Sequence, residues 1–256
     1  MEQINVVTAL SELPFPLAPV PHKPASSLHL IARDSHSYLP RGAEAQPQQQ
    51  ESLALVRLYS QETTQLSADQ WRAFIKERQL VHLHHGIYRE PEDEPTPLMR
   101  AASLGLLTPA GYHHRIRYSR TTAAWVLGYL PELPEGRLHV DYDRDNRFNL
   151  PRPCRANFAS HQAQLRPYDT MTIGPIRLTT PLKTALDIIT HSLDESDLAI
   201  VRAILLDSHN SVTPELLLQS AREHINLKAT ALLRAQHLAH QLMAGPLRLG
   251  PSPVGS

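Results

Sequence analysis

Residues 67–89, SADQWRAFIKERQLVHLHHGIYR, decide how the rest of the chain is read. Ser67 stands where a helix N-cap belongs. Gln70, three residues on, completes a capping-box pattern, in which each side chain satisfies the other's free backbone N–H. Trp71, Phe74 and Ile75 follow at i, i+3 and i+4, one apolar stripe for a core. Arg72, Lys76 and Gln79 point elsewhere, and Arg78 lies nearer the edge. Beyond a break, Leu80, Leu83 and Ile87 are the expected inward positions of two short strands, with Gly86 supplying the turn. A helix buried on one side, basic on the other and followed by a β-wing is a common way to enter a DNA groove.

Just upstream, residues 51–60, ESLALVRLYS, read as a first helix on Leu53, Val56, Leu58 and Tyr59. Downstream, REPEDEPTP closes the unit with acids and prolines, as a linker does. Residues 1–48 are rich in Pro, Ser and Gln, and only Leu28, Leu30 and Ile31 hint at local order. Proline removes donors and fixes φ, so this part is expected to be a flexible extension. Three more segments follow from the pattern: a winged helix over 49–92, a mixed, mainly helical domain over 97–244, and a flexible tail over 245–256.

In the second domain, PLMRAASLGLL reads as a helix, and a further helix rests on Ala123, Ala124, Trp125 and Leu127 before Gly128 and Pro131 stop it. Leu138 and Val140 mark a strand, and MTIGPIRLTT reads as two strands around a tight turn at Ile173, Gly174 and Pro175. Thr180 followed by Pro181 is a strong helix start. That helix carries Leu182, Ala185, Leu186 and Ile189 on one face, and three more helices follow. The fold class expected is α+β.

Lys plus Arg and Asp plus Glu number 25 each in 256 residues, with 15 histidines, so the formal charge is zero. Such a chain does not coat polyanions, although a local basic patch remains possible. The single cysteine, Cys154, excludes an internal disulfide framework and a thiolate zinc cluster. No apolar run approaches the roughly 20 residues that span a bilayer. Glu2 stands where a secretory signal carries positive charge. A cytoplasmic protein without membrane contact is expected.

The wing offers His82, His84, His85 and Arg89 to phosphate oxygens, contacts that position a protein on DNA without reading its sequence. A second basic cluster, His113, His114, Arg115, Arg117 and Arg120, is extended by Arg144, Arg147, Arg152, Arg155 and Arg166. Its ordinary reading is solvated surface. If it shared a face with the wing, it would lengthen the phosphate footprint and steepen the salt dependence. His82 and His84 have no acidic or cysteine partner at metal-site spacing, so no metal is expected. Asp141 and Asp143 flank Tyr142 and invite a magnesium-nuclease reading. No acid and lysine alternate on a neighbouring strand, however, and a solvated strand end is expected instead. With no glycine-rich phosphate loop and no G-x-S-x-G elbow, neither a cofactor nor an enzymatic activity is expected.

Three stretches, taken in order, resemble one family. LSADQWRAFIKERQLVHLHHGIYREP resembles its winged helix closing on "G-[IV]-Y-R". YSRTTAAWVLGYLP resembles its "S-x-x-[ST]-A-A-W-x-x-G" helix, and IGPIRLTTPLKTALDII its "G-x-x-[VL]-T-[TS]-P-x-[KR]-T-x-x-D" segment. These are marks of AbiEi-type antitoxins of type IV toxin–antitoxin systems, in particular their actinobacterial branch, and the resemblance spans roughly residues 50–210. It implies a winged helix that binds repeats in its own double-stranded promoter DNA and represses the operon. It also implies a second domain that counteracts a nucleotidyltransferase-like toxin encoded alongside.

By position, the implied DNA contacts are Arg72, Lys76 and Arg78 on the helix, with His84, His85 and Arg89 on the wing. The third motif places Thr180, Pro181, Lys183, Thr184 and Asp187, read first as structural: a helix cap, and a polar edge where Lys183 and Asp187 pair one turn apart. The chain departs from the family in offering histidines where wings are often arginine-rich, which makes its DNA affinity pH-dependent near neutrality. The long Pro/Gln-rich leader is not something the family predicts. Some relatives continue into a nuclease-like domain, for which this chain is expected to end too early. The alternative function is a winged-helix module that docks a protein and binds no specific DNA.

Overall fold

The computed structural model describes residues 56–64, 66–109, 111–144, 150–192, 194–223 and 229–243. The expected leader and tail, and with them Leu53 and Arg147, lie outside the described residues. The chain divides into two compact units, Met1–Glu94 and Pro95–Ser256. Both strands and helices are well represented, so the architecture is mixed α/β. No helix of the described residues is long and apolar enough to cross a membrane.

In the first unit, α1 (Gln61–Thr64) precedes α2 (Ala68–Lys76), and β1 (Val81–His84) pairs antiparallel with β2 (Ile87–Arg89). The capping box forms: Ser67 Oγ accepts from Gln70 N at 3.2 Å, and Ser67 N donates to Gln70 Oε1 at 3.0 Å. Trp71 is buried and meets the Tyr88 ring edge-on, with centroids 5.2 Å apart, which ties α2 to the hairpin. His85 and Gly86 form the turn with φ of 43° and 73°. Two positive φ values are the condition for the tight turn whose twist matches a right-handed ribbon.

Over 56–60, the described part of the first helix expected on Leu53, Val56, Leu58 and Tyr59, no helix forms. Tyr59 instead bridges Tyr88 as an antiparallel partner, its N–H donating at 2.9 Å and its carbonyl accepting at 2.8 Å. The only helical turn upstream of Ser67 among the described residues is α1, in the stretch read as polar linker. Tyrosine favours extended, half-buried chain, and the pairing with Tyr88 satisfies the Tyr59 N–H and C=O.

The second unit is built on a five-stranded sheet of order β5-β4-β3-β7-β6. Its strands are β3 (Ile116–Tyr118), β4 (Leu138–Asp143), β5 (Phe158–Ala163), β6 (Thr170–Ile173) and β7 (Ile176–Thr179). The pairs β3–β4 and β6–β7 are antiparallel, and β4–β5 and β3–β7 are parallel. The β6–β7 hairpin turns where Gly174 and Pro175 stand, in keeping with the tight turn expected there. Strands β3 and β5 and the sheet's mixed order were not expected.

The helices are α3 (Pro97–Leu107), α4 (Arg120–Val126), α5 (Pro181–His191), α6 (Glu195–Leu206), α7 (Pro214–Glu223) and α8 (Ala229–Met243). Thr96 caps α3 by accepting from Met99 N at 3.2 Å, with proline at the first helical position. Arg100 is buried on α3, and its guanidinium donates to the carbonyls of Trp125 at 2.5 Å and Leu130 at 2.8 Å, fixing α3 to the end of α4. Gly105 lets α3 approach the β6–β7 turn, since a Cβ there would lie 2.7 Å from Pro175 Cγ. Ala185, Leu186, Ile188 and Ile189 of α5 form one core with Ile200, Val201 and Ile204 of α6, Leu217 of α7, and Ala235 and Leu238 of α8.

Candidate functional site

Two arrangements have functional geometry, one in each unit. In the first, Arg72 and Lys76 stand one turn apart on the exposed side of α2. Arg72 makes an exposed pair with Asp69 at 2.6 Å, which screening reduces to little. Glu77 ends the helix, and Arg78 adopts φ 56°. Arg78 N then donates to Ile75 O and Gln79 N to Phe74 O, both at 3.1 Å, the pair of bonds of a Schellman close. Glycine is the usual occupant of that left-handed position, because a Cβ there meets the backbone. An exposed arginine holds it here.

The β1–β2 hairpin departs from the use expected of it. His84 is buried, 4% exposed, and its imidazole is pulled down to about 3, first by burial and then by His85 and His82. A neutral, enclosed ring does not meet a phosphate, so His84 belongs to the core of the hairpin. The bulge between His82 and His84 accounts for it, shifting the alternation that the sequence alone would extend. His82 and His85 are the exposed histidines of the hairpin, and burial also lowers His85.

Arg89 is half-buried, and its Nη1 donates to the carbonyls of Glu90 at 2.9 Å, Pro91 at 3.3 Å and Asp93 at 2.6 Å. It braces the acidic segment that follows the hairpin. Arg57, unmarked in the sequence, pairs with Glu90 at 2.9 Å and Asp93 at 3.7 Å. Tyr59 Oη donates to Glu90 at 2.6 Å, and burial raises its phenol first.

The second arrangement is a cleft of about 660 Å³ within the second unit, walled by β4, β5 and α5. Asp141 on β4 is 3% exposed and is no solvated strand end. Its Oδ1 accepts from Ser119 Oγ at 2.9 Å. Burial, then the Asp187 charge, pushes the Asp141 carboxyl up to about 7, against the opposing pull of Ser119, Lys183 and Arg120.

Lys183 and Asp187 pair at 2.5 Å as expected from their spacing, but at 4% and 7% exposure they are interior and not a polar edge. Asp187 Oδ2 is buried and accepts no hydrogen bond. Thr180 is the N-cap with proline next, yet its side chain makes no cap bond. Thr184 instead shares a 2.7 Å hydroxyl bond with Thr179, locking α5 to β7. Pro181 is half-buried at the first helical position.

The second basic cluster divides. Arg115 is exposed, whereas Arg117 and Arg120 are half-buried. Arg120 opens α4 at φ 51°, and the charges of Asp141 and Asp187 act on its guanidinium. It faces the cleft and not an outer phosphate footprint. His139 and His161 stack across β4 and β5 at 5.4 Å, their ring nitrogens 3.2 Å apart. Burial first, then Arg120, draws His161 down to about 4 and lowers His139. Among the described residues, no group of three or more His, Cys, Asp or Glu side chains is placed to hold a metal ion.

No protein family model matches the chain, and no curated protein matches it. Among solved structures, it is similar to the crystal structure of the RV2827C protein from Mycobacterium tuberculosis. The two share 17% identity over 84% of this chain and 76% of that one, with a TM-score of 0.40. A likeness of that degree carries no argument about function.

Proposed function

We propose that the chain is a DNA-binding antitoxin of AbiEi type. Its first unit is a winged helix that reads its own promoter and represses the operon. Its second unit counteracts a nucleotidyltransferase-like toxin, and the chain has no catalytic role of its own. The observation that carries the DNA-binding half is Arg78. An exposed basic side chain occupies the left-handed helix close where glycine is less strained, and strain kept at an exposed position points to use. Arg72 and Lys76, exposed one turn apart just before it, give the same helix three basic groups. The three family-like stretches support the antitoxin half.

Fluorescence anisotropy on the full chain tests the reading, with the DNA upstream of its gene against a shuffled duplex. Preference for the upstream DNA is expected, with a steep log–log salt slope. That slope is expected to fall by about one in Arg72→Ala and again in Lys76→Ala, since each removes one cation from a phosphate. Equal binding to both duplexes, or no slope, overturns the reading. A stable complex with the neighbouring gene product that retains no DNA points to the protein-docking alternative.

A further inference from the structure

The cleft of the second unit has a polar interior that the DNA-binding reading leaves unused. Asp187 Oδ2 is buried without a hydrogen-bond partner. Asp141 accepts from Ser119 at Oδ1, and its other oxygen makes no hydrogen bond among the described residues. With Asp141 ionised, these two oxygens accept from a ligand with two donors side by side, and a buried acceptor left unmet costs free energy. The Arg120 guanidinium, under the charge of the same two carboxylates, makes no hydrogen bond or ion pair among the described residues and calls for an acceptor next to those donors.

The exposed part of the lining supplies different chemistry. Arg166 lies 5.7 Å from the centre of the Tyr168 ring, and that ring is 64% exposed. A flat face beside a cation suits a ring and an anion. The acids lining the cleft, Asp141, Asp169, Asp187 and Glu223, outnumber the cations Arg120, Arg166 and Lys183, four to three. A bare anion is therefore a poor occupant.

We propose that this cleft binds a guanine nucleotide, its base directed inward to Asp141, Asp187 and Arg120 and its phosphate outward to Arg166. Guanine carries two N–H donors on one edge with a carbonyl acceptor beside them. Adenine lacks both the paired donors and that carbonyl, and cytosine offers a single amino donor. The volume of about 660 Å³ falls within the range of small-ligand sites. This assignment does not rest on DNA binding.

Isothermal titration of the full chain with GMP, AMP and inorganic phosphate tests it. GMP is expected to bind at least about tenfold more tightly than AMP, as a site built on hydrogen bonds to donors discriminates, and phosphate is expected to give no heat. Asp187→Asn puts a donor where an acceptor stood and is expected to erase the preference for GMP. If circular dichroism shows that variant unfolded, Arg120→Lys, which keeps charge but loses the planar fork, is expected to narrow the preference in its place. Arg166→Ala is expected to weaken GMP and AMP by a similar factor. Equal affinity for GMP and AMP, binding of phosphate as tight as GMP, or no binding of any of the three overturns the proposal.

Discussion

Lys183 Nζ lies 2.5 Å from Asp187 Oδ1, one helical turn apart on α5, with both side chains buried. Removing one partner of a buried pair leaves the other charge uncompensated, at a cost of about 3–5 kcal/mol, whereas replacing both by apolar groups costs far less. Lys183→Met is therefore expected to be severely destabilising in urea unfolding, and Lys183→Met with Asp187→Leu to recover much of that stability. A single-variant cost below about 1 kcal/mol, the scale of a surface pair, would show that the pair is not enclosed.

Asp141 gives the second unit a pH dependence of definite sign. Its carboxyl sits at about 7, against an ordinary value near 4, so the folded state holds this proton more tightly than the unfolded chain. The contribution is complete below about pH 4 and is lost as pH rises through about 7. His84 and His161, drawn down to about 3 and about 4, act oppositely. Their contribution is present above about pH 6.5 and is lost as pH falls through those lower values. Asp141→Asn removes the first slope and leaves the second. Its stability relative to the parent is expected to grow between pH 5 and 8 by on the order of 2 kcal/mol, as read by calorimetry in matched buffers. A constant difference across that range would refute the assignment.

Arg78→Gly separates stability from binding. Glycine relieves the left-handed strain at φ 56°, and the first unit is expected to gain about 0.5–1 kcal/mol. The same variant is expected to bind upstream DNA more weakly, with a shallower salt slope. Chemical unfolding and anisotropy on one preparation read both. Affinity unchanged while stability rises would remove Arg78 from the DNA-binding surface.

Gly105→Ala tests the close approach of α3 to the β6–β7 turn. Alanine favours the helix by about 1 kcal/mol, but its Cβ would sit 2.7 Å from Pro175 Cγ. The proline ring has little freedom to yield, and overpacking of this kind costs about 1–3 kcal/mol. A lower melting temperature is expected. Gly105→Ala with Pro175→Ala is expected to restore it.

The helical half of the fold was legible because its signals are local. Ser67 with Gln70, Thr180 with Pro181, and the spacing of Leu182, Ala185, Leu186 and Ile189 all act within one or two turns. The Lys183–Asp187 pair was legible for the same reason. What could not be read was what lies opposite. Strand alternation puts Asp141 on the face away from Val140, but only the sheet order and α5 set Asp187 beside it and enclose both. One bulge turned His84 inward, and one bend of an acidic segment drew the Arg89 guanidinium onto its carbonyls. The pairing of Tyr59 was hidden because its partner, Tyr88, lies beyond an intervening helix in sequence.

The bridge between Tyr59 and Tyr88 also bears on self-association. An open hairpin exposes two rows of unpaired N–H and C=O groups, each a template for another chain's strand. Tyr59 occupies the β2 side at its centre, so a visiting strand meets a filled ladder there. The β1 side has no strand partner among the described residues, yet it is only four residues long and is interrupted between His82 and His84. Such an edge is a poor seed for fibres, and at high concentration the first unit is expected to stay free of intermolecular sheet.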